Sequence, residues 1–179
     1  VYFPDRVIPM LPKELSNGIC SLNEGEPRLT LSCVMEITPA GDVVNREICK
    51  SVIKSAKRMT YTAVQAILDG DKQVRKEYKK FVGEIENMRL LQLALTAKRN
   101  ERGSIDLDVR DSHISVDDGV INVEPQTSLD AYKIIEEFMV LCNEEIAEYL
   151  YYLELPCIYR VHERPSTEKA TDFIAFLST

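Results

Sequence analysis

Residues 29–37 read LTLSCVMEI, residues 39–42 PAGD and residues 43–55 VVNREICKSVIKS. In the first segment Leu29, Leu31, Cys33, Met35 and Ile37 face one way and Thr30, Ser32 and Glu36 mostly the other. That period of two is the pattern of a half-buried strand. Pro39-Ala40-Gly41-Asp42 supplies a turn, and Val43–Ser55 reads as the return strand of a hairpin. Upstream, residues 1–28 are rich in proline and turn signals, which suits an irregular segment with one short helical turn near Lys13–Asn17.

Downstream of the hairpin the period changes. Thr60 is placed to cap a short helix, Tyr61–Leu68, that Gly70 stops. Asp71 then caps a long one, because Val74, Tyr78, Phe81, Ile85, Met88, Leu91/Gln92 and Leu95 recur at steps of three and four as far as about Arg99. After Gly103, Ile105, Leu107 and Val109 alternate with charged residues. Asp118-Gly119 marks a second hairpin between Ile114–Val116 and Val120–Val123. A third helix, capped by Thr127 or Ser128, runs to about Leu153 until Pro156 breaks it. A short strand, Cys157–His162, and an amphipathic helix from Thr167 complete the chain. The order of elements predicts an α+β fold of mixed strands and helices.

Composition narrows the classes of function. The 179 residues are 45% hydrophobic and 28% charged, which excludes a disordered chain. No run approaches the ~18–20 apolar residues of a membrane-spanning helix. The net charge of −7 argues against a uniformly basic nucleic-acid clamp. Cys20, Cys33, Cys49, Cys142 and Cys157 are scattered without a C-x-x-C pair, which predicts free thiols in a reducing, cytoplasmic compartment. With only His113 and His162 beside them, no zinc site is expected. The first residue is Val, so the chain reads as an internal fragment of a longer protein.

Adjacent glutamates on the third helix draw attention. Glu136 falls on the row Leu129, Tyr132, Glu136, Val140, Asn143, Ala147, which is mostly apolar and is expected to turn inward. Glu137 falls on Asp130, Lys133, Glu137, Leu141, Glu144, Glu148, which is expected to face water. An inward carboxylate needs a partner. Glu136 is therefore either an acid lining a cleft or a structural group bonded to a core arginine or a backbone amine. Asp117-Asp118 reads as hairpin-turn chemistry, and Asp106 and Asp108 as a solvated strand face without a third metal ligand. Basic residues gather at Arg46, Lys50, Lys54, Lys57 and Arg58, again at Lys72, Arg75, Lys76, Lys79 and Lys80, and again at Lys98, Arg99 and Arg102. Lys50 and Lys54 share one strand face, a stripe that phosphates could follow. Tyr2, Tyr61, Tyr132, Tyr159 and His162 are the polar aromatics able to stack on a base or touch a phosphate.

Four segments carry a family resemblance. Asp5–Pro12 (DRVIPMLP) with Leu15-Ser16 and Cys20–Asn23 (CSLN) is one, and Arg28–Glu36 with Ser55–Tyr61 (SAKRMTY) is the next. Ile134–Met139 (IIEEFM) with Asn143, and Tyr159–Glu163 (YRVHE), are the others. In this order they resemble the ribonuclease II/ribonuclease R (RNB) catalytic domain, and its bacterial ribonuclease R branch in particular. The resemblance implies the central part of an RNB-type catalytic domain over residues 1–179. It implies a parent that is a processive, magnesium-dependent hydrolase, degrading single-stranded RNA from the 3′ end to nucleoside 5′-monophosphates. By position, Tyr61 and Glu136 match active-site residues, and Tyr2 matches a tyrosine that holds the 3′-terminal bases. Lys50, Lys54 and Arg58 are expected along the RNA path, and Arg160 and His162 in a strand beside it. Leu107 falls near a position where some members place a base-clamping phenylalanine.

The family's upstream run of aspartates, its downstream arginine segment and its OB-fold RNA-binding domains have no counterpart in these residues. A fragment without them is expected to bind no magnesium and to be inactive. It could associate with itself through uncovered core surface. The alternative reading is a catalytically inactive RNB-like module that binds RNA or a protein partner.

Overall fold

In the computed structural model, residues 3, 6–105, 112–117, 120–125, 129–161 and 163–177 are described. The chain divides into two compact units, Val1–Asn143 and Glu144–Thr179. In the first, a π-helical turn over Glu14–Ile19 precedes an antiparallel hairpin of β1 (Pro27–Ile37) and β2 (Val43–Lys54). Helices α1 (Tyr61–Leu68), α2 (Lys72–Glu77) and α3 (Val82–Glu101) follow, then a second hairpin, β3 (Ser112–Asp117) and β4 (Val120–Pro125). Helix α4 (Asp130–Tyr152) begins in this unit, and α5 (Thr167–Leu177) lies in the second. The mixed architecture predicted from the sequence is what forms.

Register fixes the faces of the first hairpin. Leu31 pairs with Lys50, Leu29 with Val52 and Met35 with Arg46 until a bulge between Glu36 and Ile37. Directly opposed residues share a face, so Leu29, Leu31, Cys33 and Met35 lie with Val52, Lys50, Ile48 and Arg46. The expectation that this whole row is half-buried fails at one end, since Leu29 and Leu31 are 88% and 78% exposed. Only its far end is covered, where Met35, Ile37 and Pro39 wall one pocket with Leu90, Leu91 and Ala94 of α3. Alternation records which residues share a face, not how far the covering element reaches. On the opposite face Ser51 Oγ lies 2.8 Å from Thr30 Oγ1 and 2.6 Å from Ser32 Oγ.

The hairpin tip is held on α3. Gly41 adopts φ +85°, and a Cβ there would meet the carbonyl oxygen of Ala94 at 3.3 Å, so glycine is required for both reasons. Lys98 Nζ donates to the Gly41 carbonyl and, at 2.7 Å, to Asp42 Oδ1. This bond holds the Asp42 carboxyl below its ordinary range.

The expected long helix from Asp71 is two helices. Asp71 does cap the first, its Oδ1 accepting from Gln73 N and Val74 N. At Tyr78 the backbone leaves the helical region (φ −99°, ψ 27°), and a turn through Phe81 separates α2 from α3. That turn preserves the three-to-four spacing of Val74, Tyr78, Phe81 and Ile85, so periodicity could not reveal it. The strand expected at Cys157–His162 also differs. Residues 155–161 pair with no strand among the described residues, and Ile158 is 99% exposed. Residues 106–111 and 126–128 and the turn at Asp118-Gly119 lie outside the described residues, as does the capping by Thr127 or Ser128.

The core of the first unit is helical. Ile67 of α1 and Ile134 of α4 are fully buried, and Ile85, Leu95 and Ala131 nearly so. Each fully buried isoleucine contributes about 1.5–3 kcal/mol relative to exposure. Gln92 and Glu137 are the buried polar side chains beside them.

Candidate functional site

Thr60 accepts the backbone N–H of Ala63 through Oγ1, and this cap fixes where α1 begins. Tyr61 is its first residue. The phenol ring stands 4.5 Å from that of Tyr132 on α4, tilted by 56°. Tyr61 lines a pocket of about 410 Å³ with Lys57, Met59, Thr60, Val64, Ile85, Met88, Ala131, Ile134 and Ile135. Its wall is apolar apart from an ammonium, a hydroxyl and a phenol, the lining expected of a site that orients a partly apolar ligand.

Two bonds set α4 against this pocket. Gln65 Oε1 accepts from the backbone N–H of Ala131, a donor in the first turn that has no partner within the helix. Arg89 Nη1 meets Asp130 Oδ2 at 2.7 Å. On the other side, Glu24 clasps the segment leading into α1. Its Oε2 accepts from Arg58 N at 3.0 Å and its Oε1 from Lys57 Nζ at 3.2 Å. The backbone bond to Arg58, followed by the bond to Lys57, holds the Glu24 carboxyl below its ordinary range.

The two glutamates exchange the environments expected of them. Glu137 is the buried one, 3% exposed, whereas Glu136 is exposed. The buried line of α4 is Ala131, Ile134, Glu137, so the inward stripe runs one residue away from the row assigned by periodicity. Glu137 tolerates burial because α3 supplies its partners. Thr96 Oγ1 donates to Glu137 Oε1 at 2.8 Å and itself receives Gln92 Nε2, while Arg99 Nη2 lies 2.8 Å from the same carboxylate oxygen. Arg99 Nη1 also reaches Glu136 Oε1 at 3.3 Å, so one arginine contacts both acids. Glu136 does not line the pocket, but its neighbour Ile135 does.

Of the other predicted residues, Lys50 and Lys54 are exposed on the open face of the hairpin, opposite Leu31 and Pro27. Arg58 is exposed, and its backbone is tied to Glu24. Tyr159 and Arg160 are exposed in the second unit. Tyr2, His162, Leu107, Asp106, Asp108 and Asp118 lie outside the described residues, as does the side chain of Asp117. Among the described residues no group of three or more His, Cys, Asp or Glu converges to hold a metal ion. The described residues alone therefore do not supply a magnesium site. The sequence offers Arg99 only as one member of a basic cluster and Tyr132 only as one of five polar aromatics, and pairs neither Arg99 with Glu136 nor Tyr132 with Tyr61. The one available signal was that Tyr132 precedes Glu136 by four residues, on the same side of α4.

Comparison with known proteins places this arrangement. The RNB domain family matches residues 1–179. The chain belongs to the RNB domain family. It is 44% identical to ribonuclease R 1 of Lactococcus lactis over all of its length, and 46% identical to ribonuclease R of Thermotoga maritima over 94% of it. It spans only 22% and 24% of those relatives. Among solved structures, Mycoplasma genitalium RNase R in complex with ribose-methylated single-stranded RNA superposes with a TM-score of 0.86 at 28% identity. That match covers 97% of this chain and 27% of the other. The same enzyme in complex with double-stranded RNA gives 0.83, covering 95% of this chain and 30% of the other.

Proposed function

We propose that the whole protein is a processive hydrolytic 3′-to-5′ exoribonuclease that releases nucleoside 5′-monophosphates from single-stranded RNA in the cytoplasm. The observation that carries this reading is the match to an RNA-bound RNase R over nearly the full chain. Among the described residues no helix is long and apolar enough to cross a membrane.

Within that reading the chain's own residues bind and position. The Tyr61 phenol donates a hydrogen bond to a non-bridging oxygen of the scissile phosphodiester. Its ring packs against that of Tyr132, which supports one orientation of the phenol. Glu136 presents a carboxylate that accepts a proton or a hydrogen bond at the reaction centre. Lys50, Lys54 and Arg58 offset backbone charge along the incoming strand, so an acidic domain can still hold RNA locally. Tyr2, Arg160 and His162 complete the proposed RNA contacts. Magnesium, held by acidic residues other than those described, would supply the activated water and neutralise the leaving oxygen.

The test is incubation of the full-length protein with a 5′-labelled single-stranded RNA. Stepwise shortening from the 3′ end to a small end product, only with magnesium present, is the expected result. Endonucleolytic fragments or an intact label would contradict the proposal.

A further inference from the structure

The geometry points to Arg99 as a positioning residue for Glu136, with the buried Glu137 as its anchor. This rests on the ribonuclease reading above. A surface glutamate has several rotatable bonds and no reason to hold one orientation. Glu136 is about half exposed, with a side-chain exposure of 49%, yet it meets a guanidinium that is itself fixed. Arg99 stands in the last turn of α3 with only 26% of its side chain exposed. Its Nη2 is held by Glu137, and Glu137 is held in turn through Thr96 and Gln92. The planar fork is rigid, so fixing Nη2 also fixes Nη1, which addresses Glu136. Arg99 Nε is buried and unpartnered among the described residues. Leaving it so costs stability, and the orientation adopted serves the two carboxylates rather than the most complete bonding of the arginine. One cation thus transmits the order of the core to an exposed acid on the neighbouring helix.

The test uses the full-length protein and separates positioning from simple support of the fold. Arg99→Met alone would strand the buried Glu137 charge and could unfold the protein, so the comparison is made where that charge is absent. Glu137→Gln keeps an amide oxygen for Thr96 and Arg99, and its kcat on single-stranded RNA is expected to stay within about threefold of the parent. Adding Arg99→Met to it should lower kcat by roughly 10- to 100-fold, with KM changed much less and a cooperative melt retained. A double variant as active as Glu137→Gln would overturn the inference. Adding Arg99→Met to Glu136→Gln/Glu137→Gln should cost little further activity, because the group it positions is already altered. An undiminished further loss would also overturn it, assigning Arg99 a role independent of Glu136. Failure of the underlying reading looks different. If the parent shows no magnesium-dependent shortening of RNA, both claims fall; if the parent is active and Glu136→Gln is equally active, the positioning claim falls and the ribonuclease reading stands.

Discussion

The seam between α3 and α4 and the open half of the β1–β2 hairpin carry equally regular apolar patterns, yet one is dry and the other wet. On the seam, Leu95, Ala131 and Ile134 are buried and even a glutamate is tolerated, because Thr96 and Arg99 satisfy it. On the hairpin, Leu29, Leu31 and Val52 stand exposed between Lys50 and Lys54, since α3 reaches only as far as Met35 and Ile37. Burial follows from the presence of a partner, whereas pattern tells only which residues will be buried together. The charged groups divide in the same way: Arg99 and Glu137 on the seam act on each other, and Lys50 and Lys54 on the hairpin are exposed.

The largest expected effect comes from breaking the seam. Glu137→Ala removes one partner of a buried ion pair and should cost about 3–5 kcal/mol of stability, measured by denaturant unfolding. A loss below about 1 kcal/mol would mean that the pair is not desolvated as the structure shows. Next is the hairpin's outward charge. Replacing Lys50 and Lys54 with alanine in the full-length protein should weaken RNA binding and reduce its salt slope by roughly one per lysine. The same change at Lys76 and Lys79 of α2 and the turn after it should do less, and equal effects would remove the hairpin from the RNA path. Leu31→Ser sharpens the contrast from the other side. In the 179-residue chain it should change stability by no more than about 0.5 kcal/mol, because the side chain is already solvated.

The smallest effect concerns acid. Glu24 and Asp42 are both held below their ordinary pKa by hydrogen bonds, Glu24 chiefly from the Arg58 backbone and Asp42 from Lys98. A depressed carboxylate binds fewer protons folded than unfolded, so its contribution is present above the unfolded value near 4 and is lost as pH falls through the folded one. Thermal melts should therefore weaken slightly on acidification below about pH 4. Glu24→Gln or Asp42→Asn should flatten that limb, and an unchanged limb would show that the bonds do not persist in solution.

Much of this was legible in the sequence. Thr60 and Asp71 announced helix starts chemically, through side-chain oxygens that accept from the first turn, and both do so. The first hairpin was equally plain, since its alternation, turn and return strand lie next to one another in the chain. What could not be read were the features that depend on a second element. The break at Tyr78 keeps the apolar phase, and the exposure of Leu29 depends on the length of α3. The exchange of Glu136 and Glu137 depends on an arginine 37 and 38 residues earlier in the chain. A row containing Lys133, Glu137, Glu144 and Glu148 reads as a wet face until Arg99 and Thr96 are brought against it. Tyr61 was singled out by its place in a family motif, and its pairing with Tyr132 emerged only from the packing of α1 on α4.

The two neighbouring acids offer the most direct test of the account. Glu136→Gln and Glu137→Gln should be compared in the full-length protein by single-turnover degradation of a 5′-labelled single-stranded RNA. The account predicts a loss of at least about 10²-fold for Glu136→Gln, with Glu137→Gln near the parent rate. The reverse order would make the buried glutamate the working acid and contradict the assignment.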